Sequence, residues 1–267
     1  MLRVQIWAPV MPLPPLHHLS LVDRRMFSGS SDYLRSTRHP WASLLFLAPL
    51  LSAYEAGVVW LGGPQPEALR NGADTWLRWG LESFGLTQLY CAPALIAVVF
   101  LLWSVVRYLD RPDGVIGICM GMAAESVLFG LGLWALSREL GPFLDEMGIK
   151  LNVGPNPKVL GRIVTFVGAG IYEEVLFRLV LFFILRRFFR HFFFSSLVAI
   201  PLTMIASAVL FSACHHIGPY GEPFNSYVFL FRLLAGFYFA LLYQLRGFGI
   251  AVGTHAFYDV LVGVLMA

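Results

Sequence analysis

The segment Ile171-Tyr172-Glu173-Glu174-Val175-Leu176-Phe177-Arg178 places three ionisable side chains inside an otherwise apolar stretch. The residues on either side, 164–167 and 179–183, have the composition of a membrane core. A charged side chain at the centre of a bilayer costs about 2.5–3.5 kcal/mol on insertion scales. Such side chains usually face the interior of a helix bundle, where they mark a functional site. The segment therefore predicts a membrane helix that carries a buried polar site.

The composition of the whole chain indicates a membrane protein. Of its 267 residues, 58% are hydrophobic and 13% are charged, whereas about 25% are charged in a typical soluble domain. We expect an all-α, polytopic helical bundle whose surroundings are the lipid bilayer. The net charge of +3 is too small to indicate a nucleic-acid partner. The sequence does not indicate an oligomeric state.

About seven transmembrane helices are expected, because seven segments approach the 20 apolar residues that a spanning helix needs. These segments are residues 41–61, 88–106, 115–136, 159–185, 195–216, 226–244 and 248–267.

Two connecting segments have the pattern of amphipathic helices that lie at the membrane interface. In residues 66–87, an apolar stripe at helical spacing is separated from charges that recur every four residues, at Arg70, Asp74, Arg78 and Glu82. Residues 138–149 show a weaker version of the same pattern.

The first 40 residues are rich in proline and arginine and lack the apolar run of a secretory signal peptide. We expect residues 1–40 to form a poorly ordered cytoplasmic leader and residues 41–267 to form the transmembrane domain. Arginines are more frequent in the loops that would share the side of the N-terminus, which favours an N-terminus inside and a C-terminus outside. The lack of a eukaryotic targeting tail favours the bacterial cytoplasmic membrane.

Helix geometry separates the two adjacent glutamates. Residues four apart share a helix face, so Glu174 is predicted to pair with Arg178, as a structural ion pair. The side chain of Glu173 points about 100° away and has no partner in its own helix. We interpret Glu173 as the group that is free to exchange a proton.

Two further polar clusters lie in apolar segments. The first is Phe211-Ser212-Ala213-Cys214-His215-His216, and the second is His255-Ala256-Phe257-Tyr258-Asp259, in which His255 and Asp259 share a helix face. A single membrane histidine is often only a packing residue. Together with Glu173, however, these side chains form a set that can hold and activate a water molecule: one group accepts its proton, and a histidine donates to the developing oxyanion.

Other polar residues of the apolar segments have simpler interpretations. Glu55 and Glu125 are expected to hydrogen-bond between helices or to line a polar cavity, and Arg232 is expected to pair with a buried carboxylate.

The pattern Glu173-Glu174-x-x-x-Arg178, Phe211-x-x-x-His215 and His255-x-x-x-Asp259 resembles the three-motif signature of the CAAX protease and bacteriocin-processing (CPBP, or Abi) family of intramembrane proteases, of the Rce1-like, glutamic type. The resemblance covers residues 115–267, the motif-bearing core of a transmembrane protease domain. It implies that Glu173 and His215 activate the nucleophilic water and that His255 stabilises the oxyanion. The implied substrate is a membrane-associated peptide or protein.

The third motif departs from the family at Asp259, where prenyl-protease members typically carry asparagine. An ionised aspartate cannot donate a hydrogen bond to an oxyanion. Either Asp259 is protonated through burial, or it accepts a ring N–H of His255 and orients that ring. We favour orientation.

The sequence leaves the cofactor and two rival functions open. We expect no cofactor, although two histidines and a carboxylate could instead hold zinc. The first rival is a non-catalytic scaffold or immunity protein of the same family. The second is a proton- or ion-coupled transporter that uses Glu173, Asp259 and the histidines as a relay. The absence of an internal sequence repeat weighs against the transporter.

Overall fold

The computed structural model describes residues 32–146, 159–192, 195–218 and 221–265. Within these ranges the chain is helical and contains no β-strand, so the prediction of an all-α bundle is confirmed. The main helices, in chain order, are α1 (Pro40–Gly62), α2 (Gly72–Glu82), α3 (Cys91–Val106), α4 (Val115–Glu146), α5 (Val159–Glu174), α6 (Phe182–Phe192), α7 (Ser196–Cys214), α8 (Ser226–Arg246) and α9 (Phe248–Val260).

Four of the described helices contain a stretch that is long and apolar enough to cross a membrane. These stretches are Pro40–Gly62, Val115–Glu139, Ser196–Cys214 and Ser226–Arg246. Helix α3 and the segment Phe248–Val264 are apolar but shorter. The protein is therefore an integral, multi-pass membrane protein, while the predicted number of seven spans is not confirmed.

Helix α9 forms the centre of the bundle. Every residue from Phe248 to Ala256 is buried, and α9 packs against α1, α4, α5 and α8. Its approach to α5 is very close, because a Cβ atom added to Gly170 would lie 2.6 Å from the backbone nitrogen of Ala256. A side chain at position 170 would push α5 away from α9 and separate the first motif from the third.

Helices α5 and α6 are joined without a break by the π-helical segment Val175–Leu181, so residues 159–192 form one continuous helix. A second π-helical segment, Leu261–Leu265, follows α9 directly. Single π turns are rare, and they occur frequently at functional sites. Each of these two segments begins within a few residues of a motif carboxylate.

The amphipathic helix predicted in residues 66–87 is present as α2, preceded by a 3₁₀ turn at Pro66–Leu69. Three of the four charged residues on its polar face are buried: Asp74 has no accessible surface, and Arg70 and Arg78 are also buried. The fourth, Glu82, lies at the end of the helix and is exposed. The face turns towards Glu55 of α1, and both arginines pair with its carboxylate. The expectation that Glu55 bonds between helices therefore holds, within a larger cluster than the sequence suggested.

The second predicted interfacial helix is not a separate element in the part that the structure describes. Helix α4 continues without a break to Glu146, so residues 138–146 extend the preceding helix. Residues 147–149 lie outside the described residues.

The end of the predicted leader is helical and contacts the bundle. Residues 32–36 form a short helix, and the Arg38 Nε donates a 2.9 Å hydrogen bond to the Leu245 carbonyl at the end of α8. His39 caps α1 by accepting from the Trp41 backbone N–H at 3.1 Å. Residues 1–31, which make up most of the predicted leader, lie outside the described residues.

Candidate active site

A chain of three buried polar groups links α5 to α9. The Arg178 Nε lies 3.0 Å from the Glu174 Oε2, and neither side chain has accessible surface. The other oxygen of Glu174, Oε1, lies 2.9 Å from the His255 Nδ1. The pairing of Glu174 with Arg178 follows the predicted i,i+4 spacing, but the contact to His255 was not anticipated. Glu174 thus fixes the ring of His255 while it neutralises the arginine.

Helix α8 supplies the remaining contacts of this chain. The Arg178 Nη2 donates a 2.8 Å hydrogen bond to the backbone carbonyl of Gly236. The ring of Phe239 stacks on the His255 imidazole at 4.3 Å, with an interplanar angle of 13°. Sequence reasoning missed both residues of α8, because a glycine and a phenylalanine in an apolar helix carry no distinguishing pattern.

The second motif contributes an aromatic ring as well as a histidine. The guanidinium of Arg178 lies 4.8 Å above the ring centre of Phe211, within the range of a cation–π contact. Phe211 also contacts the His215 ring edge-on, at 5.0 Å between centroids. The phenylalanine of this motif therefore packs between the buried arginine and the histidine that follows one turn later.

The structure brings Glu173, His215 and His255 together. The Glu173 Oε2 lies 3.6 Å from the His215 Nε2 and 3.8 Å from the His255 Nε2. These separations are longer than direct hydrogen bonds. Catalytic contacts are often long before substrate binds, so the three groups have the spacing of a constellation that a reacting molecule can complete.

A cavity of about 90 Å³ opens beside Glu173 and His215. It is lined by Gly72, Ala73, Trp76, Glu173, Phe177, Cys214, His215, Ile217 and Glu222. A water molecule occupies about 30 Å³ in the liquid, so the cavity has room for a nucleophilic water and a small part of a substrate.

The protonation pattern of His215 follows from its partners. The His215 Nδ1 lies 2.8 Å from the backbone carbonyl of Phe211. Because a carbonyl only accepts, Nδ1 carries the hydrogen, and in the neutral ring the Nε2 is an acceptor. This acceptor faces the carboxylate of Glu173, which also only accepts when ionised. With the ring neutral and the carboxylate ionised, two acceptors therefore face each other at the edge of the cavity.

Asp259 lies on the opposite side of His255 from Glu174. Its Oδ2 is 3.4 Å from the His255 Nε2, the nitrogen that also faces Glu173. The close partner that holds the ring is therefore Glu174, at Nδ1, whereas Asp259 approaches the Nε2. From the sequence, Asp259 was predicted to orient the His255 ring. The closer contact between Glu174 and the Nδ1 of that ring was not predicted.

The loop after α7 is held near the cavity by Glu222. The Glu222 backbone N–H donates to the His215 carbonyl at 2.9 Å, and its carboxylate accepts from the Arg232 Nη2 at 2.9 Å. This hydrogen bond from Arg232 lowers the pKa of Glu222.

The prediction that Arg232 pairs with a buried carboxylate is wrong, because the side chain of Glu222 is 55% exposed. Glu125, by contrast, bonds between helices as expected, accepting from the Arg246 Nε at 2.7 Å.

The motif-bearing segment of the chain matches a known family. Residues 155–261 match the family described as Type II CAAX prenyl endopeptidase Rce1-like. The family resemblance is confirmed. No curated protein and no solved structure gives a significant match. The matched segment contains all three motifs, and together with the apolar helices it supports a membrane protease.

Among the side chains that the structure describes, no group of three or more His, Cys, Asp and Glu residues is arranged to hold a metal ion. The expectation that the protein needs no cofactor stays a prediction.

The burial of Glu174 gives a testable difference in stability. Removing one partner of a buried pair costs about 3–5 kcal/mol, because the other charge is left unpaired, whereas exposed pairs contribute about 0–1 kcal/mol. We expect Glu174→Ala to lower the thermal unfolding midpoint in detergent by many degrees, and Glu222→Ala to change it little. Equal midpoints for the two variants would contradict the structural role assigned to Glu174.

Proposed function

We propose that this protein is a glutamic-type intramembrane endopeptidase in which Glu173 and His215 activate a water molecule. The observation that carries the proposal is the 3.6 Å separation between the Glu173 Oε2 and the His215 Nε2 beside a cavity. With the ring neutral and the carboxylate ionised, both atoms are acceptors. A water in the cavity can donate one hydrogen to each of them. Its oxygen is then left with its lone pairs available for attack on a carbonyl carbon.

The proton leaves the water as its oxygen attacks. Glu173 accepts it, with His215 as its partner, and the scissile carbonyl becomes a tetrahedral oxyanion. Return of the proton to the leaving nitrogen allows the C–N bond to break, giving a carboxylate and an amine. No covalent enzyme intermediate is needed, because the nucleophile is water.

His255 is the proposed oxyanion donor. Its Nδ1 is committed to Glu174, and its Nε2 faces the oxygens of Asp259 and Glu173 at 3.4 and 3.8 Å. A doubly protonated ring donates from Nδ1 to Glu174 and presents an Nε2–H that a developing oxyanion can accept. Stacking on Phe239 restricts the ring to its own plane, so the donor stays aimed in one direction.

The proposed substrate is a membrane-associated peptide or protein tail. The matched family is named for prenyl endopeptidases, and the sequence alone did not indicate a prenyl group. We retain the N-terminus-inside orientation as a proposal that rests on arginine placement. The bacterial cytoplasmic membrane is also retained as a proposal, which rests on the lack of a eukaryotic targeting tail. A quenched-fluorescent peptide with a Cys-a-a-X end, made with an S-farnesyl group, with an S-alkyl chain of equal length or with a free thiol, separates a requirement for prenylation from a requirement for any membrane anchor.

The first prediction concerns Glu173. General acid–base groups contribute about 10²–10⁴-fold to rate, so Glu173→Gln should reduce cleavage of the anchored peptide at least about 100-fold in proteoliposomes. Glu82→Gln, which changes an exposed carboxylate of α2, is the matched control and should keep full activity.

The rival functions give other outcomes in the same preparation. A scaffold or immunity protein predicts that Glu173→Gln leaves the biological function intact. A transporter predicts proton-coupled flux and no peptide cleavage. Either result, with folded protein, would overturn the proposed peptidase.

The second prediction concerns Asp259. Asp259→Asn keeps an oxygen that can accept from the His255 ring, whereas Asp259→Ala removes the contact. We expect the asparagine variant to cleave the peptide at least several-fold faster than the alanine variant. Full activity in both would show that Asp259 neither orients His255 nor contributes to oxyanion binding.

The third prediction concerns metal. If water is activated by Glu173 and His215 alone, exhaustive dialysis against a zinc chelator leaves the cleavage rate unchanged. Loss of activity that added zinc restores would instead place a metal among the histidines, with the carboxylate as a third ligand.

A further inference from the structure

One wall of the catalytic cavity comes from outside the family-matching segment. Gly72, Ala73 and Trp76 of α2 line the cavity together with Glu173 and His215. Helix α2 begins more than 80 residues before the matched segment, which starts at residue 155. The proposed chemistry and this wall are therefore supplied by different parts of the chain.

A buried network of charges holds α2 in place. The Asp74 carboxylate accepts from the Arg70 Nη1 at 2.6 Å and from the Arg78 Nε at 2.7 Å. The phenol of Tyr54 donates to the same carboxylate at 2.8 Å. Glu55 of α1 balances the second positive charge, at 3.1 Å from the Arg78 Nη2. The two buried carboxylates thus neutralise the two guanidinium groups, and the exposed Glu67 also pairs with Arg70 at 3.1 Å. Helix α2 therefore cannot move away from α1 without exposing unpaired charge.

The network extends to the helix that carries Glu173. The Tyr172 hydroxyl donates a 2.5 Å hydrogen bond to the Glu55 Oε1, and neither the Tyr172 side chain nor the Asp74 side chain has accessible surface. Tyr172 directly precedes Glu173 in α5. The same carboxylate therefore contacts both α5, which carries Glu173, and α2, which carries Trp76.

We propose that Trp76 is a specificity-determining residue, which limits the volume of the substrate side chain beside the scissile bond, and that the Glu55 network positions it. This inference rests on the proposed peptidase function of Glu173 and His215. The indole forms part of the wall of a cavity of only about 90 Å³, so a larger substrate side chain meets it. If α2 could move away from the cavity, large and small substrate side chains would be accommodated equally well. Instead, buried ion pairs and a tyrosine hydrogen bond fix α2 to two neighbouring helices.

The test uses a series of membrane-anchored fluorogenic peptides in which one residue, on either side of the scissile bond in turn, is Ala, Leu or Phe. In a size-limited pocket, small changes in side-chain volume alter kcat/KM by about 10–200-fold. For the wild type, we expect kcat/KM to fall by at least about 10-fold from the Ala to the Phe peptide at one of the two positions. Trp76→Ala should reduce that ratio at least about 5-fold, and Trp76→Phe should give an intermediate ratio.

Trp79→Ala is the matched control. Trp79 lies on the same helix, is 47% exposed and does not line the catalytic cavity, so its loss should leave the ratio within about two-fold of wild type. Because the readout is a ratio between two peptides on one preparation, a partly unfolded variant changes both rates and leaves the ratio interpretable. Trp76→Phe keeps an aromatic ring in the wall, and it provides the measurement if Trp76→Ala does not fold.

A second comparison tests the network. Tyr172→Phe removes the bond to Glu55, and Tyr238→Phe removes a bond to the Phe129 carbonyl at 3.0 Å, in another part of the bundle. We expect the first to relax size discrimination partially and the second to leave it unchanged. Unchanged discrimination in Tyr172→Phe would contradict the positioning role of the network.

The outcomes separate this inference from the function on which it rests. If Glu173→Gln cleaves at the wild-type rate, the proposed function is wrong. If Glu173→Gln is inactive while Trp76→Ala and Trp76→Phe discriminate by size as the wild type does, only the role of Trp76 is overturned.

Discussion

The need to neutralise Arg178 determines how the helices around the site are arranged. Its guanidinium has no accessible surface, and an unpaired charge at such a position is far too costly to persist. Glu174 supplies the opposite charge from the same helix, and the Gly236 carbonyl of α8 accepts one of the remaining N–H groups. The second oxygen of Glu174 then remains available for His255. The position of the proposed oxyanion donor is thus a consequence of how the arginine is satisfied.

This arrangement also explains why α9 is central. A helix that must bring His255 against Glu174 has to pass close to α5, and the absence of a side chain at Gly170 permits that approach. Almost all of α9 is consequently buried among other helices instead of facing lipid.

The features that the sequence predicted well are those that depend on local geometry. Spacing of four residues placed Glu174 against Arg178 and His255 near Asp259, and both proximities are present. Apolar runs located most helix bounds to within a few residues. The contact between Glu174 and His255 joins residues 81 positions apart, and no periodicity encodes which helices become neighbours. The ring of Phe239 and the π-helical turns were missed for the same reason, since tertiary packing decides them.

The charged face of α2 shows how one pattern can have two meanings. Charges that alternate in sign every four residues stabilise an exposed helix through pairs worth a few tenths of a kcal/mol. Here Asp74 and its two arginines are buried, because a single carboxylate in α1, Glu55, completes the neutralisation. Local spacing cannot reveal that partner, so the sequence alone left the environment of α2 undetermined.

Once α2 is fixed in this way, the cavity has one wall from the Rce1-like segment and another from a helix outside it. Substitutions in α2 can then change the shape of the cavity without altering the buried groups that hold Glu173, His215 and His255 in place.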